Sequence, residues 1–291
     1  MKQIFTILVL LLGWTNMNAN GSTGSATLAT PLPAPAYSGG TGLSDNPYQI
    51  STLTELRYLS EHSTDWSKYF IQTADIDATA TNGWNPNGSS GFYGFSPIGN
   101  STTNFTGNYN GQNHTISNLN INRPATNNIG LFGYVNTSGS ISNLGLTNVN
   151  VSGKNQTGGL VGSANLGTIT NVYTTGTVVG NSNGINYFCM FGGLVGNNGT
   201  DCTISNSYSK ANVSGLGYSG GGLVGYNYGT IISSYATGSV GGNGSYRGGL
   251  VGINLGSISK SYATGVVEGT VIVGTNEEYG GLAGRNQKDI T

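Results

Sequence analysis

The sequence predicts an all-β protein: a right-handed parallel β-helix, or solenoid, with an amino-terminal cap that contains one short helix. The main observation is a repeated phrase, Gly-Gly-Leu-Val-Gly, followed by Ser-Tyr-x-Thr-Gly. A period of 27 to 34 residues between successive leucines of this phrase is typical of stacked units that cannot bury an apolar face alone. The phrase stands at Gly158–Gly162, Gly192–Gly196, Gly221–Gly225 and Gly248–Gly252, with a variant at Gly280–Gly284.

The composition supports the same class. Only 7% of the residues are charged, against about 25% in an ordinary soluble domain, and 50 of the 291 residues are glycine. The apolar residues recur in register, which argues against disorder. A net charge of −1 without a basic run predicts no nucleic-acid partner.

The amino terminus is typical of an exported protein. Lys2 precedes the apolar stretch Ile4–Leu12, which is too short to span a bilayer, and small or polar residues follow, so residues 1–19 are predicted to be a signal peptide. Residues 20–40, rich in Ser, Thr, Ala and Pro, are predicted to be a linker. No later segment is apolar enough to cross a membrane, which predicts a secreted or cell-surface location.

Residues 41–128 are predicted to form the cap and the first coils. Leu53, Leu56 and Leu59 in Ser51–Ser60 have helical spacing, with Ser51 or Thr52 available as N-cap and Glu55 in the first turn. A short helix over the first coil would cover an otherwise open solenoid end. Three strand-like segments follow, at Lys68–Ile71, Phe105–Tyr109 and His114–Ile121.

Residues 129–291 are predicted to be solenoid repeats, the last one incomplete. Each unit offers three short strands: Gly-Leu-Val-Gly, Thr-Ile-x-Asn/Ser-x-Tyr and Gly-x-Val. Parallel stacking would place each strand about 4.8 Å from its copy in the next coil. The leucines are then expected to stack inside the coil as one column and the tyrosines to form a second: Leu160, Leu194, Leu223 and Leu250; Tyr173, Tyr208, Tyr235 and Tyr262.

Two further sets of side chains are predicted to be structural. A third column, of hydrogen-bonded carboxamides, is expected from Asn165, Asn198, Asn227, Asn254 and Asn286. The two cysteines, Cys189 and Cys202, lie on either side of one Gly-Gly-Leu-Val-Gly. In an exported chain they could form a disulfide across a corner of the coil, or remain two separate buried thiols.

The repeats resemble the GLUG motif of bacterial surface proteins and of the amino-terminal regions of immunoglobulin A peptidases. The matching residues are Gly221–Gly225 with Ser234–Gly238 and Gly248–Gly252 with Ser261–Gly265. The resemblance implies a secreted or cell-surface, adhesin-like β-solenoid. The peptidases carry a zinc-binding His-Glu-x-x-His sequence, which neither His62 nor His114 matches, so the proteolytic activity and its metal are not predicted here.

The last unit lacks its Ser-Tyr-x-Thr-Gly half. We expect either a fragment of a longer protein or an open coil edge through which the chain self-associates.

The acidic residues Asp75 and Asp77 are the best candidates for chemistry. Two residues apart on a strand, they would share one face, where they could bind calcium or act as acid and base on a sugar, as in a polysaccharide lyase or hydrolase of the parallel β-helix type. The surrounding chain lacks a basic cluster for an acidic sugar. We therefore expect a structural role for the pair, with calcium binding and catalysis as the alternatives.

Tyrosines outside the column are the best candidates for binding. Tyr218, Tyr226, Tyr228 and Tyr246 lie in bends or insertions, and tyrosine on a rigid surface suits recognition of carbohydrate or protein. Partial packing on neighbouring coils is the alternative role. The sequence as a whole predicts a non-catalytic module that binds a glycan or an extracellular protein, or spaces other domains, without a cofactor.

Overall fold

The computed structural model describes residues 37–137, 139–181, 189–269, 278–288 and 290–291. They belong to one compact unit, Pro35–Thr291. The predicted signal peptide and most of the predicted linker lie outside the described residues. Residues 37–40, assigned to the linker from the sequence, are folded, because the Ser38 amide donates to the carbonyl of Gln49 and Gly39 pairs with Gln49.

Helix α1, Leu53–Glu61, begins at the predicted place. The Thr52 side chain accepts a hydrogen bond from the Glu55 amide, and the Glu55 carboxylate accepts one from the Thr52 amide, which completes a capping box. Burial opposes ionisation of Glu55, but hydrogen bonds from Ser38, Ser51 and Thr52 outweigh it and hold the pKa of this carboxyl below its usual range. Leu56 and Leu59 are fully buried, so the helix packs its apolar face on the core. Short 3-10 turns follow at Ser63–Asp65 and Thr79–Gly83.

The remaining described elements are strands. In chain order they are β1 (Tyr48–Ile50), β2 (Tyr69–Gln72), β3 (Ile76–Asp77), β4 (Asn108–Asn110), β5 (Thr115–Ser117), β6 (Asn120–Arg123), β7 (Phe132–Val135), β8 (Ser140–Gly153), β9 (Thr157–Gly158), β10 (Val161–Asn181), β11 (Met190–Gly192), β12 (Val195–Ser205), β13 (Tyr208–Ser209), β14 (Asn212–Leu216), β15 (Ser219–Gly221), β16 (Val224–Asn227), β17 (Thr230–Ile232), β18 (Tyr235–Ala236), β19 (Tyr246–Gly248), β20 (Val251–Asn254), β21 (Ser257–Ser259), β22 (Tyr262–Ala263), β23 (Glu278–Gly280) and β24 (Ala283–Asn286).

The strands pair from coil to coil, which confirms the solenoid. Every pairing between the described strands is parallel, as in β16 on β12 and β20 on β16. One set of ladders joins nineteen strands, and a second sheet contains β9, β11, β15, β19 and β23 in that spatial order. Antiparallel contacts among the described residues are isolated bridges between residues 39 and 121.

The core is filled by apolar columns that run through the stack. The leucines of the four Gly-Gly-Leu-Val-Gly phrases are fully buried, and their backbones are bonded in sequence, as from the Leu223 amide to the Leu250 carbonyl at 2.9 Å. A second buried column passes through the isoleucines of the Thr-Ile strand: Ile141, Ile169, Ile204, Ile231 and Ile258.

A bend in the left-handed region follows each of these isoleucines. The bend residue has a φ of about +50°, at Asn143, Asn171, Asn206, Ser233 and Lys260. Asn tolerates this conformation best among residues with a side chain. The bend turns the chain toward the strand that carries the tyrosine.

The predicted tyrosine column stacks in register but lies on the outer surface. Ring centroids are 4.9, 4.7 and 5.1 Å apart along the column, and the planes lie within 5° of parallel. Tyr262, at its end, is 53% exposed. We call Tyr173, Tyr208, Tyr235 and Tyr262 the outer tyrosine column.

The interior of the coil beside this column is too narrow to hold the tyrosine rings. The residues that point inward are the neighbours of the tyrosines, and they are small: Ala236 is one of them. A methyl group added to Gly222 would lie 2.9 Å from the Ala236 Cβ and 2.1 Å from the Gly249 carbonyl oxygen. The paired glycines of one strand thus approach the opposite strand too closely for a ring.

The carboxamide ladder forms, with one residue different from the prediction. Asn198 donates to Asn227 at 2.7 Å, Asn227 to Asn254 at 2.7 Å, and Asn254 to Asn286 at 2.8 Å. Asn165 was predicted wrongly, because Ala164 is the residue paired with Asn198. Asn165 instead lies exposed and donates to the Tyr134 hydroxyl.

The two cysteines are buried thiols and are not bonded to each other. Cys189 packs with Phe191, Val213 and Val240 in a small separate cluster, whereas Cys202 belongs to the main core. The Cys189 thiol donates to the carbonyl of Lys154 at 3.1 Å. Of the two alternatives that the sequence left open, the structure has two separate buried thiols and no disulfide, because the side chains point into different apolar clusters. Burial raises the pKa of the Cys202 thiol to about 12, so this group stays protonated.

Candidate binding surface

The four tyrosines singled out from the sequence come together on the solenoid. We define the tyrosine patch as Tyr218, Tyr226, Tyr228 and Tyr246 together with Arg285. Tyr226 and Arg285 occupy the same column of the repeated strand, with the buried Ile253 between them. The chain before β15 and strand β19 bring Tyr218 and Tyr246 beside this column.

Ring contacts organise the patch. The rings of Tyr226 and Tyr228 stack with centroids 4.7 Å apart, and those of Tyr218 and Tyr246 meet edge to face at 5.0 Å. The Arg285 guanidinium lies 5.5 Å from the centre of the Tyr246 ring and donates to its hydroxyl at 3.0 Å. With its side-chain oxygen turned toward the guanidinium, Gln287 accepts two hydrogen bonds from Arg285, one from Nη2 at 2.8 Å and one from Nε at 3.0 Å. The arginine side chain is therefore held in place across two coils.

Not every member of the patch is accessible. Tyr228 is 42% exposed and Tyr218 and Tyr226 are half-buried, but Tyr246 is only 6% exposed. The expectation that Tyr246 lies on the surface was wrong, since Tyr218 packs edge to face with its ring and Arg285 lies over it. Tyr246 supports the patch from behind, and the other three rings are available to a ligand.

The protonation of the patch at neutral pH is clear. Burial, the hydrogen bond with Tyr228 and the neighbouring Tyr218 all raise the pKa of the Tyr226 phenol. Tyr226 is therefore a neutral hydroxyl that can donate and accept. Hydrogen bonding to Tyr246 raises the pKa of Arg285, so the patch carries one fixed positive charge.

Arg285 was missed from the sequence, although a signal was present. It follows the repeated phrase at the same offset at which Tyr226 follows its own: Gly-Leu-Val-Gly-Tyr in one unit and Gly-Leu-Ala-Gly-Arg in the other. Aligning the units by this offset places Tyr226 and Arg285 on one column.

Asp75 and Asp77 lie near the start of the solenoid, where each accepts a hydrogen bond from the neighbouring coil. Asp75 accepts from the Thr115 amide at 2.7 Å and lies 3.3 Å from Nδ1 of His114. Asp77 accepts from the Thr79 hydroxyl at 2.6 Å and from the Asn118 side chain at 2.9 Å. Each carboxylate thus accepts its own set of hydrogen bonds through Oδ1.

The hydrogen-bond donors around each aspartate also favour its charged form. The Thr115 amide and His114 lower the pKa of Asp75, and the Thr79 hydroxyl and Asn118 lower the pKa of Asp77. A general acid on a sugar requires a carboxyl whose pKa is raised. Neither environment supplies that.

Neither a metal cluster nor a membrane helix is found in the part of the chain that the structure describes. No three or more His, Cys, Asp or Glu side chains come together there as metal ligands. The helices of those residues are also too short or too polar to cross a bilayer.

Comparison with known proteins identifies the class. The fold and the patch define a β-solenoid built from glycine-rich repeats, and the family described as the GLUG motif matches residues 189–214. The resemblance inferred from Gly221–Gly225 and its copies is thereby confirmed.

Two relatives share the sequence more widely. The chain is 40% identical over 180 residues to a halomucin from Haloquadratum walsbyi, covering 60% of this chain and 2% of that protein. It is 37% identical over 142 residues to a Gly-rich membrane protein from Evansella cellulosilytica, covering 47% of this chain and 15% of that one. The chain thus spans a small part of both relatives.

A solved structure shares the fold. A protein from Bacteroides ovatus described as an immunoglobulin A1 protease superposes with a TM-score of 0.62 at 24% identity, covering 85% of this chain and 74% of that one. At this level of identity the likeness concerns the fold alone.

Proposed function

We propose that this protein is a non-catalytic, secreted or cell-surface β-solenoid whose tyrosine patch binds a glycan or an extracellular protein. The observation that carries the proposal is the convergence of Tyr226 in strand β16, Tyr228 just after it, and Tyr218 from the chain before β15 onto one surface beside Arg285. Rings held by a fixed scaffold lose little conformational entropy when a ligand binds.

The chemistry of the patch suits a polar partner with apolar faces. Half-exposed rings can stack on the hydrocarbon face of a sugar or on a side chain, and their neutral hydroxyls can donate and accept hydrogen bonds. The Arg285 charge adds attraction for a carboxylate or sulfate. The names of the two relatives, a halomucin and a membrane protein, together with the predicted signal peptide, support a location at the cell surface.

The alternative, a polysaccharide lyase or hydrolase using Asp75 and Asp77, has less support because the pKa of each carboxyl is lowered. It makes a distinct prediction. The full chain would release new sugar ends from a polysaccharide, and replacing both residues with Asn would abolish that release in a folded protein. Absence of new ends across a broad polysaccharide panel eliminates it.

Binding itself is tested with immobilised glycans and extracellular-matrix proteins. We expect saturable binding to at least one of them. The double variant Tyr226→Ala and Tyr228→Ala should bind at least about tenfold more weakly, which corresponds to about 1.4 kcal/mol, with an unchanged melting temperature. Failure to bind any of these surfaces, or undiminished binding by the double variant, would count against the proposal.

A further inference from the structure

A second concave site lies at the start of the folded unit, away from the tyrosine patch. It is a cavity of about 190 Å³ lined by Tyr37, Gly40, Tyr48, Tyr58 and Asp65. Three of its five lining residues are aromatic and one is a carboxylate. Neither the repeats nor the resemblance assigns a role to it.

The aromatic walls are fixed by one another and by the core. Tyr37 stacks on Tyr48 with ring centroids 4.3 Å apart, and it meets Tyr58 edge to face at 5.2 Å with planes 87° apart. Phe70, which is buried, contacts Tyr37 from the core side at 5.6 Å. The rings therefore form walls at a steep angle to each other, and not one flat stack.

The carboxylate is held against these walls. The Tyr37 hydroxyl donates to Oδ2 of Asp65 at 2.9 Å, which leaves Oδ1 able to accept from a ligand. Burial and the hydrogen bond to Asp65 raise the pKa of the Tyr37 phenol, so the wall stays neutral and Asp65 supplies the negative charge.

Backbone shape keeps the cavity open at its remaining wall. Gly40 has a φ of +85°, and a Cβ there would lie 1.9 Å from the Pro47 carbonyl oxygen. A side chain at this position could not be accommodated without moving the backbone. Glycine therefore preserves both the turn and the cavity.

The nearby Arg57 side chain has partners outside the cavity lining, and the His62 ring stacks on one of the cavity walls. Arg57 pairs with Glu61 at 2.7 Å and lies 4.8 Å from the centre of the Trp84 ring. His62 stacks on Tyr58 at 3.6 Å and bonds the Tyr58 carbonyl through Nδ1. Among the described residues, no lysine or arginine lines the cavity.

We propose that this cavity binds an organic ammonium cation, such as a quaternary ammonium group. Aromatic rings carry negative electrostatic potential on their faces and attract a cation that lies within about 6 Å of the ring centre, more strongly when the pair is desolvated. The Asp65 carboxylate adds direct attraction, and the cavity excludes part of the solvent. A neutral group of equal shape would gain the apolar contacts but not these electrostatic ones. The site does not depend on the tyrosine patch.

Choline is the probe for this proposal, and its control is the neutral alcohol in which carbon replaces the quaternary nitrogen. Isothermal titration of the full chain should show saturable choline binding and at least about tenfold weaker binding of the alcohol. Asp65→Asn keeps the size of the side chain but removes its charge, and Tyr58→Ala removes a wall. Each should weaken choline binding about tenfold, whereas Tyr228→Ala, in the tyrosine patch, should leave it unchanged.

The melting temperature of each variant separates loss of the site from loss of the fold. If Tyr58→Ala unfolds the protein, choline binding by the Asp65→Asn variant alone tests the proposal. Absence of saturable choline binding, equal binding of the alcohol, or unchanged binding in folded Asp65→Asn would each overturn the proposal.

Discussion

Arg285 Nη1 donates a hydrogen bond of 3.0 Å to the hydroxyl of Tyr246, which lies on a neighbouring coil. The contact places a fixed cation beside a nearly buried ring, and Tyr218 then packs on the edge of that ring. A binding surface is thereby assembled from several repeats, none of which contains it alone. The binding surface therefore depends on the stability of the stacked coils.

The carboxamide ladder is expected to stabilise the stack from inside. Asn227 is fully buried, accepts from Asn198 and donates to Asn254. Asn227→Ala should lower the free energy of unfolding by about 2–4 kcal/mol, because two ladder bonds are lost and buried polar groups are left unsatisfied. Urea denaturation measures the loss.

The matched control is Asn165→Ala, the same substitution at an exposed asparagine outside the ladder. It should change the free energy of unfolding by less than about 0.5 kcal/mol. Equal losses in the two variants would show that the ladder has no special role.

The close approach of the paired glycines gives a second prediction. Gly222→Ala would place a Cβ 2.1 Å from the Gly249 carbonyl oxygen. The strands would have to separate, so we expect a loss of about 3 kcal/mol or more in stability. Thermal unfolding followed by circular dichroism checks this.

Gly281 supplies the control at the equivalent position of the Gly280–Gly284 unit, since a Cβ there has no atom within 4 Å. Gly281→Ala should leave the melting temperature within a few degrees of the parent. A Gly222→Ala variant as stable as Gly281→Ala would contradict the packing described for the outer tyrosine column.

The third prediction concerns pH. The donors around Asp77 lower its pKa in the folded state, so its contribution to stability is present above the unfolded-state pKa of about 3.9. It is lost as the pH falls through the lower folded-state pKa. Carboxyl NMR titration should place both Asp75 and Asp77 below the ordinary value, and Asp77→Asn should reduce the acid sensitivity of unfolding. A carboxyl titrating near neutral pH would instead favour the enzymatic alternative.

Periodicity in the sequence predicted the fold well because the physical cause is local and repeated. The leucines of the repeated phrase lie in the core, and helix α1 follows Thr52, one of the two residues predicted as its N-cap. These features depend on the regular recurrence of buried residues and on the capping residue of the helix, and both can be recognised in a single sequence.

The errors arose where distances across the coil decide the outcome. The tyrosines lie outside because Gly222 and Gly249 leave no room behind Ala236, which no alternation rule reveals. Asn165 was placed one residue beyond the ladder position, where Ala164 stands. For the cysteines the sequence left two alternatives open, and the choice between them also depends on the fold, since the side chains point into different clusters although they are near in sequence.

The candidate surface was predictable only in part. Its tyrosines stood out as aromatic residues in bends, but their convergence, the burial of Tyr246 and the contribution of Arg285 depend on which coils become neighbours. The aromatic cavity was not predicted, because Tyr37 and Asp65 approach only after the chain has folded.

The most direct test compares two sets of tyrosines in one titration against whichever glycan or matrix protein binds the parent chain. Tyr226→Ala with Tyr228→Ala removes one half-buried and one exposed ring from the patch, whereas Tyr208→Ala with Tyr235→Ala removes two rings from the outer column. We predict that the patch variant loses at least about tenfold in affinity at an unchanged melting temperature, and that the column variant loses stability but retains affinity while folded. Loss of affinity only in the column variant, or equal loss in both, would contradict the assignment of binding to the tyrosine patch.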